Sequence, residues 1–188
     1  MHPGDVAEYL DSQLTDLRAL IGADPDLGVQ EVDFSASEWQ LNIRFIKCER
    51  PIVRVGVPSD LVGPGGAQVQ GIFEAPDLGA PAQERELILS MNCEDLDGQP
   101  PSAELLTAGG SPLAAGEWPR EMGNQGIVRQ GHPSFDRPFF CRPGLREYHS
   151  HPLHEDEPWD RYREALPLTK TVIQLLRDLH RRWTFSSS

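Results

Sequence analysis

A chain of 188 residues is long enough for one domain with a buried core and short for two. Its 29 acidic residues against 17 basic ones give a net charge of −12. The one basic cluster, RDLHRRW at residues 177–183, falls at the far C-terminus, which argues against a nucleic-acid partner, since that needs a basic stripe along a face. Three widely spaced cysteines exclude a disulfide framework. No apolar run approaches the ~20 residues that span a bilayer, so no membrane partner is expected. The opening MHPGDVAEYL lacks a charged and then apolar leader pattern. No signal peptide is expected, and the thiols belong in a reducing cytoplasm.

Residues 5–21 predict an amphipathic helix, with Val6, Tyr9, Leu10, Leu14, Leu17 and Ile21 on one face and Gly22 as its stop. Four strands are expected next, at 39–47, 51–57, 67–73 and 85–91. In the first, Leu41, Ile43 and Phe45 alternate with Asn42, Arg44 and Ile46. Gly- and Pro-rich links such as GPGG at 63–66 suggest that these four form an antiparallel meander. Pro100-Pro101 marks a turn before a short extended piece, and residues 107–131 read as a long irregular connection. HEDEPWDRYREA, at 154–165, predicts a short helix. The stretch 166–183 predicts a longer one, with Pro167 in its first turn and Val172, Ile173, Leu176, Leu179 and Trp183 as its apolar stripe. The fold class is therefore α+β, with helices packed on one sheet in a single domain over 1–188.

The chemistry-bearing residues cluster late. Four of the six histidines lie between 132 and 154, and Cys141 lies among them. In CRPGLREYHSHPLH, residues 141–154, Phe139 and Phe140 anchor the backbone before Cys141, while RPGLR after it speaks for a loop. A thiolate is the attacking form of cysteine, and Arg142, Arg146 and His149 are near enough in sequence to favour it. The same stretch supports zinc: Cys141, Glu147, His149 and either His151 or His154 form a possible ligand set, although paired knuckle spacing is absent. Cys48 and Cys93, beside strands, read as structural. His132 reads as a turn residue, and His180 as solvated on the polar side of the last helix.

The ordered set of pieces resembles the ubiquitin-conjugating-enzyme family. GQPPSAELL (98–106) is similar to its Pro-Pro segment after the fourth strand, and HPSF (132–135) to its His-Pro-Asn motif. Cys141 follows His132 by nine residues, and Trp159 with LPLTKTVIQLLRDL (166–179) resembles the family's tryptophan and following helix. The chain departs from the family in three places. Ser134 stands where the family has an oxyanion-stabilising Asn, the segment between Cys141 and Trp159 is longer, and the first helix is acidic. It resembles most the divergent conjugating-like proteins of bacterial ubiquitin-like operons. The set Cys141, Glu147, His149 and His151 is also similar to a Cys-Glu-His-His group from those operons classed as metal-binding.

The resemblance implies a carrier. Cys141 would accept a ubiquitin-like protein as a thioester from an activating enzyme and pass it to an amine on a protein acceptor. His149 or His151 would help deprotonate the amine, Glu147 would orient the histidine or act itself, and backbone N–H groups around Arg142 or the Ser134 hydroxyl would hold the oxyanion. No cofactor is expected in this reading. The alternatives are a zinc module built on the ligand set above, and a non-catalytic scaffold of the same fold, which would bury Cys141.

Overall fold

The computed structural model describes residues 3–49, 52–56, 72–76, 79, 81, 83–118 and 128–182. The first helix, α1, is Pro3–Ala23. It buries Leu10, Leu14 and Leu17 on its inner face, as the heptad-like spacing predicts. A 3-10 turn at Pro25–Leu27 then reverses the chain through Gly28, whose φ of 60° lies in the left-handed region. A Cβ there would sit 2.4 Å from the Ile46 carbonyl oxygen, so the turn requires glycine on two counts.

Six strands follow: β1 Val29–Ser35, β2 Gln40–Glu49, β3 Ile52–Gly56, β4 Ile72–Pro76, β5 Gln83–Asn92 and β6 Ser102–Thr107. The main sheet is antiparallel and four-stranded, in the order β1-β2-β5-β6. Its membership corrects the expected meander. Among the described residues, strands β3 and β4 pair only with each other, nested inside the β2–β5 pairing that runs from Gln40↔Asn92 to Glu49↔Gln83. The two outer places go to β1, which was not expected as a strand, and to β6, expected only as a short extended piece. Pro100-Pro101 accordingly precedes the sheet's last strand instead of following it. The predicted strand at 67–73 lies mostly outside the described residues.

One face of the sheet is apolar: Leu41, Ile43, Phe45, Leu87, Leu89, Met91, Ala103 and Leu105 are buried. The last helix, α3 Leu168–Arg182, covers that face together with α1. It contributes Val172, Ile173, Leu175, Leu176 and Leu179 to the same core. Trp183 lies outside the described residues. The Pro167 carbonyl accepts the Thr171 N–H at 3.1 Å and so begins the helical ladder. α1 and α3 are tied directly, with Thr169 Oγ1 donating to the Gln13 carbonyl at 3.0 Å. His180 is not solvated as expected: its ring meets Phe45 edge-on at 5.8 Å and its Nε2 is buried.

Between β6 and α3 regular structure is sparse. A two-residue pairing joins β7 Val128–Arg129 to β8 Phe139–Phe140, and α2 is one turn, Arg146–His149. Instead of a helix over 154–165 there are 3-10 turns at Pro152–His154 and Trp159–Arg161. Pro152 and Pro158 stand at the start of those turns and leave no run long enough for an α-helix. Among the described residues no helix is long and apolar enough to cross a membrane.

Candidate active site

Phe139 and Phe140 are 1% and 0% exposed, and Phe140 packs on the Trp118 ring at 5.1 Å. They hold the backbone in the core up to Cys141, which is the first residue to emerge and is partly exposed. Arg142 N–H donates to the Phe140 carbonyl at 3.0 Å, closing a three-residue turn centred on Cys141. That N–H, expected among the oxyanion donors, is therefore engaged. Ser134, whose hydroxyl was the other expected donor, has its N–H on His132 Nδ1 at 3.0 Å.

The two arginines expected to assist the thiol point elsewhere. Arg142 reaches α3, pairing with Asp178 and donating to Gln174 Oε1 at 2.9 Å. Arg146 donates to the Pro100 carbonyl at 3.2 Å and lies nearer to Cys93. Burial pushes the Cys93 thiol up to about 12, with the Arg146 charge acting against that rise. Cys93 is an inert core thiol, whereas Cys48 is exposed, and none of the three cysteines is in a disulfide.

Glu147 and His149 serve the framework. Glu147 is 0% exposed. Its carboxylate accepts from Ser102 Oγ at 2.5 Å, Arg137 Nη2 at 2.9 Å and Ala103 N–H at 3.2 Å, which fastens α2 to β6. His149 has both ring nitrogens occupied. Nδ1–H donates to the Glu157 carbonyl at 2.7 Å, and Nε2 accepts the Gly144 N–H at 3.1 Å. This fixes its tautomer and leaves no lone pair for catalysis. Burial lowers the His149 pKa, the Glu157 carbonyl acting in the opposite sense. His132 is used in the same way: with Ser134 N–H on Nδ1, its Nε2–H donates to the Glu147 carbonyl at 3.0 Å. His151 caps the turn that follows it, with Nδ1 accepting Leu153 N–H at 3.2 Å.

The histidine beside the thiol is His154. Its Nε2 lies 3.7 Å from Cys141 Sγ, within reach for a sulfur hydrogen bond. On the far side, Nδ1 lies 3.6 Å from Glu157 Oε1. The His154 ring stacks on Tyr148, with centroids 3.7 Å apart and planes at 21°. Tyr148 and Tyr162 both donate their hydroxyls to Glu157 Oε2, at 2.8 and 2.7 Å. These two hydrogen bonds, Tyr162's first, hold the Glu157 pKa below its ordinary value. Tyr148 is raised by its burial and then by the bond to Glu157. Cys141 Sγ, the His154 ring and the Glu157 carboxylate thus lie in a line, a geometry in which an imidazole can take a thiol proton.

Of the four expected catalytic residues, the structure brings Cys141 to the surface and places Glu147, His149 and His151 in supporting bonds. His154 was expected only as a possible metal ligand, and Glu157 was not singled out. The His154-to-Glu157 spacing of three suits a single turn, and the Glu157 N–H closes that turn onto the His154 carbonyl at 2.9 Å. Glu155 and Asp156 stand beside it in sequence, so spacing alone does not select the carboxylate. The zinc set does not converge, because Glu147 and His149 are committed to the bonds above. Among the described residues no three His, Cys, Asp or Glu side chains gather as a metal site requires.

No protein-family model matches the chain, and no curated protein matches it.

Proposed function

We propose that this protein is a cysteine-dependent acyl carrier of the ubiquitin-conjugating type, with Cys141 as nucleophile, His154 as its base and Glu157 as the carboxylate that orients the base. The observation that carries the reading is the Cys141 Sγ to His154 Nε2 approach of 3.7 Å at a partly exposed position. A second support is the order of elements: an N-terminal helix, an antiparallel four-stranded sheet in the order β1-β2-β5-β6 with the β3–β4 pair between its second and third strands, a long irregular segment and a last helix.

In the reaction we envisage, the Cys141 proton passes to His154 Nε2. The thiolate attacks the C-terminal carbonyl carbon of a ubiquitin-like protein held as a thioester on an activating enzyme. The activating enzyme's sulfur leaves and takes up the proton, and the thioester now rests on Cys141. An amine of the protein acceptor then attacks the same carbon, Cys141 sulfur departs, and His154 accepts the amine's surplus proton. Glu157 faces the imidazolium charge formed in both halves. Such chemistry belongs in a cytoplasm that keeps thiols reduced.

The test combines the protein with a candidate ubiquitin-like protein, its activating enzyme and ATP. The expected result is a slower-migrating band that thiol reagents release and that Cys141→Ala lacks. A band that persists in Cys141→Ala would sink the proposal.

A further inference from the structure

The Glu157 carboxylate is gripped from two elements. Tyr148 on α2 and Tyr162, just beyond the Trp159–Arg161 turn, both donate their hydroxyls to Oε2, at 2.8 and 2.7 Å. Two donors on one oxygen fix the plane of the carboxylate and leave its second oxygen for another group. That second oxygen, Oε1, lies 3.6 Å from His154 Nδ1. The Glu157 side chain is 36% exposed, so water competes for it wherever the hydroxyls do not hold it. Tyr148 also holds the imidazole, its ring lying on the His154 ring with centroids 3.7 Å apart.

An uncharged imidazole carries one N–H and one lone pair, and the group opposite each nitrogen decides which is which. A carboxylate oxygen opposite Nδ1 favours the proton there, because a lone pair in that place would face negative charge. The lone pair then falls to Nε2, the nitrogen 3.7 Å from Cys141 Sγ. The neighbouring imidazoles offer no substitute for this control. His151 lies 6.0 Å away, ring to ring, with Nδ1 on the Leu153 N–H. His149 has both ring nitrogens bound to backbone groups.

We propose that Tyr148 and Tyr162 are positioning residues: by holding Oε1 of Glu157 toward Nδ1, they keep His154 in the tautomer whose lone pair is on Nε2. The inference rests on the Cys141–His154 pairing of the carrier reading. A purely structural role would differ, since the hydroxyls would then only staple the 152–165 segment to α2.

The double variant Tyr148→Phe, Tyr162→Phe removes both hydroxyls and keeps both rings, and it tests this on the full chain. The His154 tautomer is read from the long-range nitrogen–proton spectrum of the imidazoles in alkaline buffer, where the rings are uncharged. Its signals are identified by their loss in His154→Gln. Reactivity is read at neutral pH as the rate of alkylation by chloroacetamide, followed on the Cys141 peptide by mass spectrometry because Cys48 is also exposed. The expected parent form is Nδ1–H. The double variant should shift toward Nε2–H, and its alkylation should slow by about fivefold or more. Tyr162→Phe alone should move both readouts the same way by less, and it carries the test if the double variant does not fold. A parent already in the Nε2–H form would overturn the proposal. So would a folded variant in which either the tautomer or the rate is unchanged, however much stability it had lost. Neither readout uses a ubiquitin-like protein, so failed thioester loading with both responses present would remove the carrier reading and leave the positioning role standing.

Discussion

Thiol chemistry needs a proton acceptor within reach, and His154 Nε2 lies 3.7 Å from Cys141 Sγ. Replacing it with a side chain of similar shape that cannot take the proton separates base from packing. His154→Gln should slow single-turnover thioester formation by about a hundredfold, while the concentration dependence on charged activating enzyme stays the same. Equal rates in the two proteins would remove His154 from the mechanism. At this scale the sequence was legible for Cys141, because two aromatic residues followed by RPG mark the point where a chain leaves the core. It was not legible for the histidines. Which imidazole keeps a lone pair depends on the backbone groups that meet the others, namely Gly144 N–H and the Glu157 carbonyl at His149, and Leu153 N–H at His151. No residue pattern states those meetings, because they arise only when the loop closes.

At the scale of elements, α2 is a single turn that could not persist alone. It holds because Glu147 is clamped to β6 by Ser102 and Ala103 and to Arg137. Removing one side of a buried ion pair is costlier than losing the pair altogether, since the other charge is stranded. Glu147→Ala should therefore lower unfolding free energy by about 3 kcal/mol in a denaturant titration, and the activity remaining should follow the folded fraction. Unchanged stability would mean that Arg137 finds another partner. The two long α-helices, α1 and α3, were readable because 3.6-residue periodicity runs through both of them. Strand membership was harder. β1 is an outer strand with the burial alternation weakened, its residues VQEVDFS being half-buried or exposed. The β3–β4 ribbon has the same composition as a sheet strand and yet, among the described residues, pairs only internally. Composition identifies extended chain but does not say which extended chain is its neighbour.

Across the whole molecule, three histidines share one electrostatic condition. Burial is the leading cause that lowers the pKa of His149, His151 and His180 below the ordinary 6.5. The folded chain holds them neutral, whereas the unfolded chain takes up protons near 6.5, so unfolding binds protons in the window below that value. Stability is then full above about pH 6.5 and falls as pH drops through the window toward the depressed values. His149→Gln should make that loss shallower by up to one proton, read as a smaller slope of unfolding free energy against pH. A slope unaltered from the parent would show that His149 titrates normally.

The pairing of α1 with α3 has a consequence for how the chain comes into being. The apolar face of the sheet is complete in sequence by Thr107, yet half of its cover, Val172 to Leu179, is translated some sixty residues later. A ribosome that adds about 5–20 residues each second leaves that face covered by α1 alone for several seconds. The nascent protein passes this interval with part of its apolar face open to the cell, and Cys141 and His154 emerge before α3 does.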